Sequence, residues 1–231
     1  MKTHDERYRE IIETAEKLFF EQGYAGTSVQ AIINKIGIAK GTFYHYFSSK
    51  EELLEATTLD MSKRVIEQIS FLVEKEGGSA VEKINRYNRL ASMWKADRLE
   101  AMIPYLRELY RPENISLRVK LNQKSIELGK RIYSKFIRQG VAEGVFNVFD
   151  PDRIGELLLH FKIALGDMIV SKFLELPGHP EHVDELIAQF ELYEDSTERL
   201  LGAPKGSLQL YDAENIKDIL TKIAGGKDEG N

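Results

Sequence analysis

Residues 27–56 read TSVQAIINKIGIAKGTFYHYFSSKEELLEA, and this stretch decides the fold. Val29, Ile32, Ile33 and Ile36 recur at helical spacing and predict a short helix. Thr27 with Gln30 three residues on has the spacing of a capping box, which places the helix start there. Gly37 stops it, and the very short segment AKGTFYHYF follows. Ser48 with Glu51 repeats the capping-box spacing and opens a long helix through Leu54, Met61, Val65, Ile69 and Leu72. Two short helices joined by a tight turn at Gly37 fit a helix-turn-helix.

The second of those helices has the chemistry that a DNA groove demands. Lys40, Gly41 and Thr42 stand at its N-terminus, where the helix dipole and backbone N–H groups favour an anionic partner. Gly41 lacks a side chain and lets the backbone approach a base edge. Tyr44, His45 and Tyr46 follow as a cluster of hydrogen-bond donors suited to a sugar-phosphate wall. Phe43 and Phe47, one turn apart, are expected to anchor the helix from beneath.

Charge distribution supports this placement. The 231-residue chain carries 32 Lys+Arg against 37 Asp+Glu, a net charge of −5, which by itself argues against a nucleic-acid partner. The charge is segregated, however. Between Glu21 and Glu51 no acid occurs, where the chain average would place about five, and Lys35, Lys40, His45 and Lys50 lie in that window.

Taken with the preceding IIETAEKLFFEQGYAGTS, the segment resembles the DNA-binding domain of TetR/AcrR-type transcriptional regulators over roughly residues 8–56. The FIRQGVAEGVF run at 136–146 is similar to a pattern on the long central helix of such regulators. The resemblance implies a homodimer whose recognition helices meet successive major grooves of a palindromic operator. It implies that Thr27 and Ser28 meet a phosphate, that Lys40, Gly41 and Thr42 face bases, and that Tyr44, His45, Tyr46 and Lys50 hold phosphates. Tyr46 departs from the family pattern, which often has histidine there; in this chain the histidine comes one place earlier.

The remainder of the chain is helical in pattern, and the fold class is all-α. Ile11, Ile12, Ala15, Leu18 and Phe19 form one stripe of a first helix that Gly23 closes. Helices are expected over Val81–Trp94, over Leu99–Leu109 with Pro104 as kink or start, and over 115–143, 151–175, 180–201 and 212–224, followed by a frayed GGKDEGN tail. VFNVF and LQLY could each be a single strand, but no partner exists for a sheet. The domain reading is a helix-turn-helix domain at 1–50, with its motif at about 28–47, and an effector-binding and dimerisation domain at 51–231.

In the larger domain, Ile154, Leu157, Leu158, Phe161, Leu165, Met168 and Ile169 form one apolar stripe. Leu159, Ile163, Gly166 and Val170 form a second. A helix apolar on two sides buries one against its own core and one against another chain, with Gly155, Ala164 and Gly166 permitting close approach. The next helix adds Val183, Leu186, Ile187, Phe190, Thr197 and Leu200, so a homodimer through 151–175 and 180–201 is expected. A small apolar or aromatic effector is expected among Tyr87, Met93, Trp94, Met102 and Tyr105, with Tyr133, Phe136 and Phe161 facing them.

Composition excludes several classes of function. At 42% hydrophobic and 30% charged the chain can bury a core. With no Cys it has no disulfide, thiolate nucleophile or iron–sulfur ligand. The charged start lacks a secretory apolar stretch, and the most apolar window carries Lys162, Asp167 and Lys172, so a cytoplasmic protein is expected. No P-loop, dinucleotide turn or nucleophile elbow appears, and neither enzymatic activity nor a cofactor is expected. His179 and His182 form H-x-x-H beside Glu181 and Asp184, in a loop where no third metal ligand can be placed; His160 reads as a buried or interface histidine. Two rival readings stay open: a ligand-independent architectural or division-control DNA binder, and a small-molecule-modifying enzyme with a vestigial helix-turn-helix.

Overall fold

The computed structural model describes residues 2–225, without the side chains of residues 100 and 101. Its helices are α1 (His4–Gly26), α2 (Val29–Ile36), α3 (Lys40–Tyr46), α4 (Lys50–Glu76), α5 (Ala80–Ala96), α6 (Leu99–Leu109), α7 (Ile115–Ala142), α8 (Pro151–Glu175), α9 (His182–Leu201) and α10 (Ala213–Gly225). No strand occurs among the described residues. The expected frayed tail beyond residue 225 lies outside them.

The chain forms two compact units, and their division departs from a single cut at residue 50. The first unit holds the residues up to Arg64 together with Arg98–Ser125; the second holds Val65–Asp97 and the residues from Ile126 onward. The physical reason is the packing of α6 on α1. Tyr105 is buried in the same core as Ile11, Phe19, Ile32 and Phe43, and its hydroxyl bonds to that of Thr58. The α1 stripe is buried as its spacing demands, each large side chain contributing roughly 1.5–3 kcal/mol.

Local signals set the ends of these elements. Thr3 and Glu6 form a capping box on α1, the Glu6 N–H reaching Thr3 Oγ1 at 3.2 Å and the Thr3 N–H reaching Glu6 Oε2 at 2.7 Å. Gly23 breaks the helical path of α1 with φ 72° and ψ 160°. Gly77 and Gly78, both at positive φ, follow the end of α4. Pro104 lies inside α6, on its exposed side.

Neither capping box expected in the helix-turn-helix forms at the expected residue, and each cap lies one residue later. Ser28, not Thr27, caps α2, accepting from the Ala31 N–H at 3.0 Å. Ser49, not Ser48, accepts the Glu52 N–H at 3.1 Å, while the Glu52 carboxylate reaches the Ser48 N–H and hydroxyl, both at 2.6 Å. In each case the preceding residue is needed elsewhere: Thr27 is inside the core, and Ser48 receives the returning carboxylate. On α4, Leu72 is exposed and Val73 is buried instead, one turn beyond Ile69.

In the second unit Ile69, Val73, Ile84, Tyr133, Phe136, Leu158, Tyr193 and Leu201 share one core. Phe146 folds back over α7, its N–H bonded to the Gly140 carbonyl at 3.1 Å, and its ring occupies the space a Cβ on Gly140 would need. Gly144, at φ 74°, makes that reversal. Leu208 and Leu210 are buried without a strand partner. The N–H groups of Leu208, Gln209 and Leu210 go instead to Glu198 at 2.9 Å, Asn85 at 2.8 Å and Glu194 at 2.9 Å. Helix α10 packs on α9 and on the turn Leu176–Gly178, burying Leu220.

The expected two-stripe reading of α8 is corrected. Leu158 and Leu159 both face the core, whereas Leu157 and Met168, expected in the stripe of Leu158, are 49% and 56% exposed. Gly155 makes its close approach within the chain, a Cβ there lying 3.1 Å from Ser134 Oγ, and Gly166 has no neighbour within 4 Å of a Cβ. His160 is exposed in the chain taken alone.

Candidate nucleic-acid interface

Helix α2 sits on the core by Ile32 and Ile33 and ends at Gly37, whose φ of 75° and ψ of 39° turn the chain sharply. The N–H groups of Gly37 and Ile38 both return to the Ile33 carbonyl, at 2.9 and 3.2 Å. This launches α3 at once, anchored by Phe43 and Phe47, which are buried as expected. Because α3 is pinned on that side, its other face is turned outward.

On that face Lys40, Gly41, Tyr44 and His45 are exposed, Tyr44 at 47%. Thr42 and Tyr46 are half-buried. The Lys40 ammonium lies 5.9 Å from the Tyr44 ring centroid, and no side chain caps the helix at Ala39. A Cβ on Gly41 would meet nothing within 4 Å, so the backbone there is open to a partner. Ser28 is exposed at the start of α2, and Gln30 donates to Asn34 at 2.8 Å on the outer side of the same helix.

Two expected contacts are placed elsewhere. Thr27 is fully buried, its hydroxyl donating to the carbonyls of Leu18 at 3.1 Å and Gly23 at 2.8 Å, which removes it from the reach of a phosphate. Lys50 is half-buried: its ammonium donates to the Tyr24 carbonyl and lies 4.0 Å from the Tyr24 ring centroid. Burial lowers its pKa, and Glu108 and Glu51 partly offset that effect. It acts as a strut between α4 and the end of α1.

One neighbour of the site was not foreseen. The exposed His4 ring lies 4.7 Å from Tyr46 and 6.2 Å from His45, so the first turn of α1 borders the α3 face. Nothing in local spacing points to it, since His4 is separated from α3 by the whole of α1.

The expected effector residues do not form one group. Met102 and Tyr105 belong to the first unit, where Tyr105 serves the helix-turn-helix core. In the second unit Tyr87 lies 5.8 Å from Tyr133 and 6.2 Å from Phe136, ring to ring. Phe161 instead faces Tyr193 at 5.2 Å, Trp94 is half-buried and Met93 is exposed. At the loop before α9, ligand atoms of His179, Glu181 and His182 lie within 4.8 Å of one another, so Glu181 is the third group that spacing did not place. The pairing of His179 Nδ1 with Glu181 at 2.9 Å accounts for much of that closeness. No helix among the described residues is long and apolar enough to cross a membrane.

A short helix held by two buried aromatic rings, with an exposed, acid-free face launched from a glycine turn, defines a helix-turn-helix unit. A family profile described as bacterial regulatory proteins, tetR family, matches residues 11–57. The chain is 32% identical over 124 residues to the fatty acid metabolism regulator protein of Bacillus subtilis, covering 53% of this chain and 62% of that one. It is 24% identical over 196 residues to the uncharacterized HTH-type transcriptional regulator YfiR of B. subtilis, covering 82% and 90%. A TetR-family transcriptional regulator from Pectobacterium atrosepticum superposes with a TM-score of 0.64 at 18% identity, over 88% of this chain and all of that one, and so shares the fold. The chain spans less than two thirds of the length of the first curated relatives it matches. Residues 11–57 therefore carry a DNA-binding-type helix-turn-helix domain matching the tetR family of bacterial regulatory proteins.

Proposed function

We propose that this chain is a ligand-released repressor that binds a palindromic DNA operator as a homodimer. The observation that carries the reading is the α3 face: Lys40, Gly41, Tyr44 and His45 are exposed together while Phe43 and Phe47 hold the helix down. In this reading Lys40, Gly41 and Thr42 face base edges, and Ser28, Tyr44, His45 and Tyr46 meet phosphates. Thr27 and Lys50 act through packing alone.

Two such faces must be presented about 34–36 Å apart to enter successive major grooves. Support for a second copy comes from α8 and α9. Leu157 and Met168 on α8 and Leu192 on α9, the last 63% exposed, leave apolar surface uncovered in a single chain. A two-fold interface through α8 and α9 would cover it.

The effector is a small molecule bound in the second unit, near the rings of Tyr87, Tyr133 and Phe161. Its binding favours a state in which α4, which carries residues of both units, no longer holds the recognition helices at operator spacing. Taking the operator-competent form from 99% to 1% needs roughly 5.5 kcal/mol of differential binding, which two ligands per dimer can supply.

The test is selection of genomic fragments by the purified protein, followed by fluorescence anisotropy at fixed salt. The selected duplex is expected to contain an inverted repeat and to bind at least about 10³-fold more tightly than unrelated DNA. Equal affinity for all sequences would instead favour a general architectural binder.

A further inference from the structure

Lys162 on α8 is a partly buried ammonium with no carboxylate beside it. Its Nζ donates to Asn88 Oδ1 and to Tyr133 Oη, each at 3.2 Å, and lies 5.7 Å from the Tyr133 ring centroid. Asn88 is itself buried and fixed, its Nδ2 donating to the Ile84 carbonyl at 2.9 Å. Its Oδ1 also receives the Tyr133 hydroxyl at 3.4 Å. An ammonium has three donors. Among the described residues two of them are taken and the third meets no acceptor.

A buried lysine with a purely structural role looks different, and the same unit contains one. Lys83 pairs with Glu74 at 3.5 Å and with Gln139 Oε1 at 2.9 Å, so its charge is answered within the chain. Lys162 is answered only by neutral oxygens. Beside it stands a second cation: Lys95, near the end of α5, is lowered to about 8 by desolvation and by repulsion from Lys162. Desolvation alone lowers Lys162 to about 8. Lys95 is itself exposed on α5, so its ammonium is open to a partner from outside. A partly buried cation answered only by neutral oxygens is less stable than a neutral side chain of the same size. Lys162 in this setting is explained when the negative charge comes from a ligand.

We infer that the second unit binds an anionic amphiphile, its carboxylate or phosphate head held by Lys162 with Lys95 beside it, and its apolar body among the aromatic side chains of α5, α7 and α8. This rests on the reading of the second unit as the effector-binding part, and it adds the charge of the effector's head.

The experiment is calorimetric titration of the full-length protein with dodecanoate, dodecyl phosphate and dodecanol below their aggregation limits, with the fluorescence of Trp94, the only tryptophan, as a second readout. At least one of the two anions is expected to bind ten or more times as tightly as the alcohol, and the tighter of the two names the head group. Lys162→Met should abolish that preference while leaving dodecanol affinity within twofold. Lys95→Met should reduce the preference and serves as the second variant if Lys162→Met does not fold. Equal affinities for anion and alcohol, no binding of any of the three, or a preference that survives both substitutions would overturn the inference. Release from the selected operator is measured in the same samples. Lys162-dependent anion binding that leaves DNA bound would sink the repressor reading and spare this site. Release by dodecanol as effective as release by the anions would do the reverse.

Discussion

Glu198 on α9 and Leu208 in the loop beyond it are joined by a hydrogen bond of 2.9 Å, from the buried Leu208 N–H to the buried carboxylate. The other oxygen of Glu198 receives the Gly206 N–H at 2.9 Å, so a single side chain organises the return of the chain over the core. Glu198→Ala leaves two N–H groups without an acceptor, one of them buried. A loss of about 1–3 kcal/mol is expected, which for a chain of this size lowers Tm by roughly 2–4 °C per kcal/mol. Glu198→Gln, which retains one acceptor, should lose less. Thermal and denaturant unfolding of the three proteins checks the order.

The overlap between a side chain at Gly140 and the Phe146 ring gives a prediction with a built-in control. Gly140→Ala should destabilise the second unit by about 1–3 kcal/mol, the usual range for overpacking. Adding Phe146→Leu should recover part of that loss, because the smaller side chain vacates the contested space. A double-mutant cycle in denaturant measures the coupling; additive losses would show that the two positions do not compete.

Thr27 and Lys40 should separate stability from DNA binding. Thr27→Val removes a buried hydroxyl and leaves the Leu18 and Gly23 carbonyls without it, at a cost of about 1 kcal/mol. Operator affinity of the folded protein should be unchanged. Lys40→Ala should leave stability unchanged and alter base preference if the ammonium meets a base edge. If it meets a phosphate instead, the slope of log affinity against log salt should fall by about 0.9. Anisotropy titrations across a salt series, run beside unfolding curves, distinguish all three outcomes.

The outer surface of α8 and α9 predicts the assembly state. Met168→Glu with Leu192→Glu places carboxylates on side chains that are exposed in the single chain, so folding of the protomer should be unaffected. In a paired interface the same charges lose water, and dimer affinity should fall at least about tenfold, or 1.4 kcal/mol. Light scattering coupled to size exclusion reports the change, and operator affinity should fall with it. Dimers that persist unchanged would place the interface on another surface.

The helix-turn-helix was legible because every element in it is a local device. The Ile32 and Ile33 spacing, the turn at Gly37 and the pinning of α3 by Phe43 and Phe47 depend on residues a few positions apart. The long helices were legible for the same reason. Cap positions slipped by one at Thr27 and Ser48 because adjacent hydroxyls compete for the same role, and the core decides which is free to cap. The place of Tyr105 was not legible for a deeper reason: its aromatic ring suits a ligand pocket and a core equally, and only the packing of α6 on α1 puts it in the core of the first unit.

Periodicity, glycine placement and the gap in acidic residues therefore suffice to specify the helices and a helix-turn-helix motif. They act over one or two turns of chain, where physics is nearly independent of context. The tertiary structure alone decides that Lys50 turns inward, that His4 borders the recognition face and that LQLY is held by Glu198, Asn85 and Glu194 in place of a strand. It alone brings Asn88 and Tyr133 to the Lys162 ammonium. Each of these joins side chains tens of residues apart or turns on which face a helix buries, and the residues of one segment carry no record of what another segment will place against them.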